Sequence, residues 1–381
     1  MKRLLCSLAF LALLIVPCAA LAQWTGEDVF TVFDESGAPL FSLAGHVSVG
    51  DEYVSRDNTL YRVSSVSGSE AVAQRVGSEP MPDVSWLDLG AAQPVFAQDV
   101  TAAAKTNADS RKLIAMYVTH SDESYVPSDG TQSIEGQGGI YDVARSFRDA
   151  LQGLGIDVIL DESTHLPHDS GAYRRSRRTA ERLLQKRPDA IIDIHRDGIP
   201  DPDEYKAEID GESASQVRLL VGRGNQNSAV NREFAKEIKA VADKKYPGLI
   251  KDIFIGKGNY NQDLSPSAIL LEFGTHTLSK ERALNSTDVM AEVVSTTLYG
   301  DATPSAKAEA EQTGTKNKSS SEKNKRSLSS MVWLFVLVIV GVILFALLQT
   351  GSGKSAAHKI GRNLSEMTGG LLGKKRNSNK K

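Results

Sequence analysis

The feature that most constrains this chain is a regular alternation of short apolar runs with amphipathic segments over residues 111–300. The apolar runs have the length of buried strands, and they are 113–118, 156–160, 190–194, 217–221, 253–255 and 269–273. Between the first two runs, Ile140, Val143, Phe147, Leu151 and Leu154 recur at helical spacing, and a further helix is predicted over 179–185. Strands that alternate with helices predict an α/β fold with a largely parallel sheet and flanking helices.

The first residues of the chain have the pattern of a secretory signal. Lys2 and Arg3 precede a short apolar run, and a small-residue triplet follows at 20–22. This order of charge, apolar core and cleavage site predicts a signal peptide over 1–22, with an uncleaved membrane anchor as the alternative. Both cysteines of the chain lie in this segment, so a mature chain that lacks it has no disulfide.

The other end of the chain has the pattern of a membrane tether. Residues 301–330 are polar and form a predicted flexible stalk, because they cannot bury a core. The apolar stretch 331–349, with Trp333 near its start, predicts one transmembrane helix. The basic tail over 350–381 is then expected in the cytoplasm, which places the body of the chain at the extracytoplasmic side of the cell membrane.

A second predicted folded region precedes the main one. Residues 24–88 contain short β-type runs separated by turn residues and predict a small β-rich module. A linker over 89–110 follows. The single His46 of this module suggests no site by itself. The whole chain has a formal net charge of −3 although its tail is basic, so the exported body is acidic, which argues against nucleic acid as a partner.

Polar side chains occur where apolar runs of the 111–300 region end. His120 follows the first run, His195 follows the third, and Glu272 lies near the end of the last. Ligands gather at the carboxyl ends of strands in open α/β sheets, so we expect these groups to converge. Two imidazoles, together with a carboxylate as third ligand, can bind a zinc ion (Zn²⁺) and leave one position for water.

Two carboxylates compete for the role of third metal ligand. Glu135 precedes the first helix, where a loop could return it to the sheet edge, and it is the favoured candidate. Glu123 forms a His-x-x-Glu pair with His120 and is the alternative. Glu272 would then act as general base or acid, because an amide nitrogen leaves readily only after it gains a proton.

Four blocks of sequence also resemble a known family. They are Tyr117-Val118-Thr119-His120-Ser121-Asp122-Glu123-Ser124-Tyr125, Ala172-Tyr173-Arg174-Arg175-Ser176-Arg177, Ile192-Asp193-Ile194-His195-Arg196-Asp197-Gly198 and Leu270-Leu271-Glu272-Phe273-Gly274. In this order the chain resembles the stage II sporulation protein P family of endospore-forming bacteria, which is similar to zinc N-acetylmuramoyl-L-alanine amidases. The resemblance implies an α/β fold, zinc held by His120, Glu135 and His195, and Glu272 as the catalytic acid. It further implies endopeptidase activity on cross-link peptides and a lytic transglycosylase partner during engulfment.

These observations together predict a membrane-tethered, zinc-dependent peptidoglycan hydrolase that cuts the bond between muramic acid and L-alanine. A zinc endopeptidase that acts only on wall peptides is the nearest alternative. A non-catalytic wall-binding scaffold is an alternative of a different class, and it predicts that loss of Glu272 changes nothing.

Overall fold

A computed structural model describes residues 28–89, 111–169 and 171–300 of the chain. The predicted signal peptide, stalk, transmembrane helix and tail lie outside these residues, as does nearly all of the predicted linker. Among the helices that the structure describes, none is long and apolar enough to cross a membrane.

The first described region is built from five short strands. They are β1 (Val29–Phe33), β2 (Pro39–Ala44), β3 (Glu52–Val54), β4 (Thr59–Ser67) and β5 (Glu70–Ser78). In β1, Phe30 and Val32 are buried while their neighbours are more exposed, as expected for a strand with one face on a core. Asn58 takes a positive φ of 64° in the β3–β4 turn, a conformation that asparagine tolerates.

The second described region alternates strands and helices. Its strands are β6 (Leu113–Tyr117), β7 (Asp157–Asp161), β8 (Ala190–Asp197), β9 (Lys206–Ile209), β10 (Glu212–Ser215), β11 (Val217–Gly222), β12 (Ile250–Gly256) and β13 (Ala268–Thr275). Its helices are α1 (Val126–Asp129), α2 (Ile140–Gly153), α3 (Ala172–Leu184), α4 (Ser228–Lys245), α5 (Lys280–Asn285) and α6 (Thr287–Tyr299). Every strand predicted over 111–300 is present, while the short hairpin β9–β10 was not predicted.

The two predicted helices differ in how well the sequence located them. Helix α2 buries the apolar stripe that includes Ile140 and Phe147. Helix α3 begins at Ala172, well before the predicted start at Thr179. Its buried face there contains small or polar side chains such as Ser176, so the apolar pattern alone does not detect its first turns.

The strands form one eleven-stranded sheet in the order β2-β1-β5-β4-β3-β12-β11-β13-β8-β6-β7, beside the two-stranded β9–β10 pair. Neighbouring strands among β7, β6, β8 and β13 pair in parallel, which confirms the predicted mixed α/β fold with a largely parallel sheet in this part of the chain. Strands β11 and β12 run the opposite way, because β11 pairs antiparallel with β13. The carboxyl ends of β6, β8 and β13 therefore meet at one edge of the sheet.

The strands of the first region continue this sheet. Strand β3 pairs antiparallel with β12, with Val54 opposite Ile253. Arg232 of α4 also forms ion pairs with Glu52 at 2.5 Å and with Glu79 at 2.8 Å. The segment expected as a small β-rich module is β-rich, and its strands and those of the second region share one sheet.

Candidate active site

The sheet register places the three polar groups that the sequence singled out beside one another. Glu272 of β13 is the direct Cα partner of His195 in β8, and His120 follows β6, the next strand along. The ring centroids of His120 and His195 lie 5.2 Å apart with their planes at 79°. All three side chains are buried and line one cavity of about 820 Å³. The expected convergence at the strand ends is present.

Glu123 lies in the same cavity, directly beside His195. Its Oε1 is 3.4 Å from His195 Nδ1, and its Oε2 accepts a hydrogen bond from the backbone N–H of Arg196 at 3.0 Å. The turn that carries it is tightly packed, since a Cβ at Gly138 would lie 2.3 Å from the Glu123 carbonyl oxygen. The glycine there lets the loop before α2 pass close behind Glu123.

Glu135, the carboxylate that the sequence favoured as third ligand, lies elsewhere. Its side chain is exposed, and it is not among the described residues that line the cavity. The backbone beside it is held by a hydrogen bond from Ile134 N to Asp122 O at 2.9 Å. The structure therefore brings Glu123, and not Glu135, together with the two histidines.

His168 is a further residue that lines this cavity. Its ring stacks on His120 with centroids 3.9 Å apart, and its Nδ1 lies 2.9 Å from Asp122 Oδ1. His165, three residues earlier, is a buried core histidine whose Nδ1 lies 2.8 Å from Val118 O. No strand end or helical period marks the loop that carries both, so the sequence had no signal to separate them.

The two central histidines have opposite electrostatic surroundings. Burial lowers the pKa of His120 well below its ordinary value, and the neighbouring His168 and His195 lower it further. Burial would also lower the pKa of His195, but the carboxylates of Asp193 and Glu123 raise it well above the ordinary value. These surroundings favour the neutral imidazole of His120, which is the form that can bind a metal ion, whereas His195 lies next to carboxylates.

Glu272 is attached to a chain of buried polar groups. The Tyr205 hydroxyl lies 3.0 Å from Glu272 Oε2 and 2.9 Å from Asp197 Oδ2, and Arg218 donates to Asp197 Oδ2 at 2.8 Å. Burial raises the pKa of Glu272 well above its ordinary value, and the nearby Asp197 raises it further. One tyrosine proton cannot satisfy two carboxylates, and Arg218 favours the charged form of Asp197. Burial raises the pKa of Asp197 as well, but Arg218 and Lys251 oppose that rise, so the protonated form is favoured more at Glu272.

The donor set around His195 has the chemistry of a zinc site. Within the described residues, His120 Nδ1 is buried and has no hydrogen-bond partner, whereas His195 Nε2 lies 3.0 Å from Asp193 Oδ1. A buried imidazole nitrogen without a partner is costly unless something else binds it. His120, His195 and Glu123 are the ligand types that zinc prefers. In the part of the chain that the structure describes, no three such groups are already arranged around a common metal position.

The fold and the site together define a mixed α/β protein with a buried histidine–glutamate centre at the carboxyl edge of its sheet. The chain belongs to the stage II sporulation protein P family, whose sequence profile matches residues 60–295. It is 30% identical over 217 residues to the stage II sporulation protein P of Bacillus subtilis (strain 168). That alignment covers 52% of this chain and 54% of the relative, so the chain spans about half the length of the curated relative that it matches.

Solved structures with some similarity are also found. The N-acetylmuramoyl-L-alanine amidase AmiC2 of Nostoc punctiforme is 14% identical, with a TM-score of 0.33, over 49% of this chain and 94% of that chain. The N-acetylmuramyl-L-alanine amidase Ami1 of Mycobacterium smegmatis is 18% identical, with a TM-score of 0.33, over 49% of this chain and 97% of that chain.

Proposed function

We propose that the protein is a zinc-dependent peptidoglycan hydrolase that cleaves the N-acetylmuramoyl-L-alanine amide bond during sporulation. The observation that carries the proposal is the convergence of His120, Glu123, His195 and Glu272 around one cavity at the sheet edge. Membership of the stage II sporulation protein P family supports the sporulation role and the cell wall as substrate.

In this proposal, His120, His195 and Glu123 hold the zinc ion. A bound zinc ion supplies Lewis-acid activation of the amide carbonyl and of the attacking water. Asp193 lies 3.0 Å from His195 and also accepts hydrogen bonds from the backbone and hydroxyl of Thr119. A carboxylate fixed in this way orients the imidazole beside it.

Glu272 acts as the general acid. Burial raises its pKa, which favours the protonated form, and its position in the cavity wall lets it donate that proton to the leaving amide nitrogen. The Tyr205 hydroxyl is hydrogen-bonded to one carboxyl oxygen of Glu272. This bond also fixes the orientation of the other oxygen. The amine then leaves as a neutral group, and the proton that the attacking water loses restores the protonated Glu272 carboxyl.

The predicted signal peptide and transmembrane helix complete the proposal. We place the catalytic region on the extracytoplasmic side of the membrane, tethered by a single C-terminal span over 331–349, where peptidoglycan is within reach. Cross-link peptides are a second proposed substrate, and a lytic transglycosylase is the proposed partner.

The test is digestion of purified peptidoglycan by the full chain in detergent with added zinc, with products identified by mass. We expect released stem peptides that begin with L-alanine. Because Glu272→Gln keeps the shape of the side chain but removes its proton, we expect a loss of activity of about 10²–10⁴-fold. His195→Ala is expected to abolish release, whereas Glu135→Gln, which changes an exposed carboxylate outside the cavity, retains it.

The rival functions give different products. Cleaved cross-link peptides without any new L-alanine terminus would identify an endopeptidase. No release by the wild type would refute the amidase proposal and favour a wall-binding scaffold. Equal release of L-alanine stems by the wild type and Glu272→Gln would refute the role of Glu272 as general acid.

A further inference from the structure

One wall of the catalytic cavity comes from the β-rich first region of the chain. The segment 43–48, which includes the end of β2 and the start of the connection to β3, contributes cavity-lining residues including His46 and Ser48. These face the same space as His120 and Glu272 of the second region. The first region therefore forms part of the cavity wall.

The start of this segment is fixed to the strands that carry the site. The backbone N–H of Ala44 donates to Asp197 Oδ1 at 3.1 Å, and Arg218 Nη2 donates to the Ser42 carbonyl at 3.1 Å. A Cβ added at Gly198 would lie 2.7 Å from the Ala44 Cβ, so only glycine lets β2 approach this closely. The contact leaves no gap between the segment and the carboxyl end of β8.

The end of the segment is fixed as well. Arg223, which follows β11, donates to Asp51 Oδ1 at 2.8 Å and to the Val49 carbonyl at 3.0 Å. Asp51 is fully buried, and the backbone N–H of Lys257 also donates to it. Because both ends are held by the second region, the segment is a rigid wall and positions its side chains as a binding site requires.

The side chains at this wall have a defined chemistry. His46 and Lys257 are exposed and line the same cavity. Among the described residues, no carboxylate lies within ion-pair distance of Lys257, including Asp28, which lines the same wall. The deeper carboxylate of Asp197 is already paired with Arg218. An ammonium and an imidazole at the mouth of a cavity are suited to bind an anionic group.

We propose that His46 and Lys257 bind a free carboxylate of the substrate's peptide stem, so that the segment 43–48 and Lys257 determine which stems are cleaved. The proposal deepens the proposed function and rests on it, since it assigns the substrate group recognised at that same site. The bond that is cut joins a sugar to a peptide stem. Of these two parts of the substrate, only the stem has free carboxylates that a cation at the mouth of the cavity can bind.

The test compares two soluble muropeptides that differ only in whether the stem carboxylates are free or amidated. Lys257→Met removes a charge-assisted hydrogen bond to the substrate. We expect this loss to raise KM about tenfold and to change kcat by no more than about twofold. This increase is expected for the free-carboxylate substrate and not for the amidated one. His46→Ala is expected to change KM in the same direction, and Arg75→Met, an exposed residue of β5 outside the cavity, is the matched control.

Binding of the free-carboxylate stem peptide alone, followed by calorimetry, separates the two proposals. If the wild type cleaves the muropeptides but Lys257→Met raises KM equally for both, or for neither, the inference is overturned and the proposed function stands. If the wild type cleaves nothing, the proposed function fails. In that case a tenfold weaker binding of the peptide to Lys257→Met than to the wild type still supports the inference, and equal binding overturns it.

Discussion

At the scale of single residues, the site is governed by how buried charges are compensated. The Arg218 side chain is fully buried and lies between Asp252 at 2.7 Å and Asp197 at 2.8 Å. An unpaired guanidinium in that position would cost several kcal/mol, so both carboxylates are needed in their charged form. Glu272, joined to Asp197 only through Tyr205, has no such cation of its own. Burial and the nearby Asp197 therefore raise the pKa of Glu272, more than Arg218 and His195 lower it, and favour a protonated carboxyl at the edge of the cavity.

The proposed third zinc ligand gives a prediction at this scale. Because Glu123 lies beside His195 and Glu135 is exposed, we expect Glu123→Gln to lower zinc affinity by about 10-fold or more, since a charged ligand is lost. Glu135→Gln should bind zinc as the wild type does. Each variant is dialysed against increasing concentrations of a chelator, and its zinc content is measured by atomic emission. This measurement gives the relative zinc affinity without an activity assay. Reduced zinc in Glu135→Gln with normal zinc in Glu123→Gln would restore Glu135 as the ligand.

The same residues show why sequence reasoning located most of this site and missed part of it. His120, His195 and Glu272 were predictable because each lies at or just beyond the end of an apolar run, and the ends of parallel strands meet at one edge of the sheet. The choice between Glu123 and Glu135 depends on the path of the loop before α2. That path is set by close backbone contacts, such as the one at Gly138, which no spacing or apolar pattern encodes.

At the scale of elements, the site depends on how closely β2 approaches the end of β8. The pairing of β2 with β1 brings Ala44 against Gly198, with the Ala44 N–H bonded to Asp197. A larger residue at position 198 would push β2 outward, and with it the wall that carries His46. The strand is thus both a structural neighbour of the site and one side of its cavity.

Substitution at Gly198 tests this contact. We expect Gly198→Ala to lower the free energy of unfolding by about 1–3 kcal/mol, because its Cβ would lie 2.7 Å from that of Ala44 and neither atom is the end of a flexible side chain. Gly153→Ala at the end of α2 is the matched control, since a Cβ there meets nothing within 4 Å and alanine favours a helix. Urea unfolding followed by circular dichroism measures both. Equal stability of the two variants would mean that β2 can move at little cost.

The sequence located most of the strands, but it did not indicate how all of them pair. The apolar runs located every strand of 111–300 that the sheet core needs, because burial on both faces leaves a continuous apolar signal. The pairing of β3 with β12 was not predictable in the same way. It joins Glu52 to Ile255 across some two hundred intervening residues, and neither strand carries a mark of its partner.

At the scale of the whole molecule, the shared sheet makes the described residues one cooperative body. Backbone hydrogen bonds join β3 to β12, and Arg232 of α4 is paired with two carboxylates of the first region. The rings of Phe41 and Tyr53 stack at 4.1 Å and pack in one buried cluster with Phe254 of β12. Regions connected by a polar linker alone would unfold separately, whereas regions that share a sheet and a core unfold together.

Hydrogen exchange gives the last prediction. Amides of β3 and β4 in the first region and of β12 in the second should open with the same free energy, because opening either breaks the shared sheet. Arg232→Ala is expected to lower that free energy by about 1–3 kcal/mol in all three strands, since Glu52 and Glu79 lose a partner in a mostly buried setting. Arg145→Ala breaks an exposed pair with Glu162 and should cost less than about 1 kcal/mol. Exchange measured by mass spectrometry would contradict the shared-sheet argument if Arg232→Ala loosened β3 and β4 while β12 kept its protection, because the first region would then be able to unfold while the second stays folded.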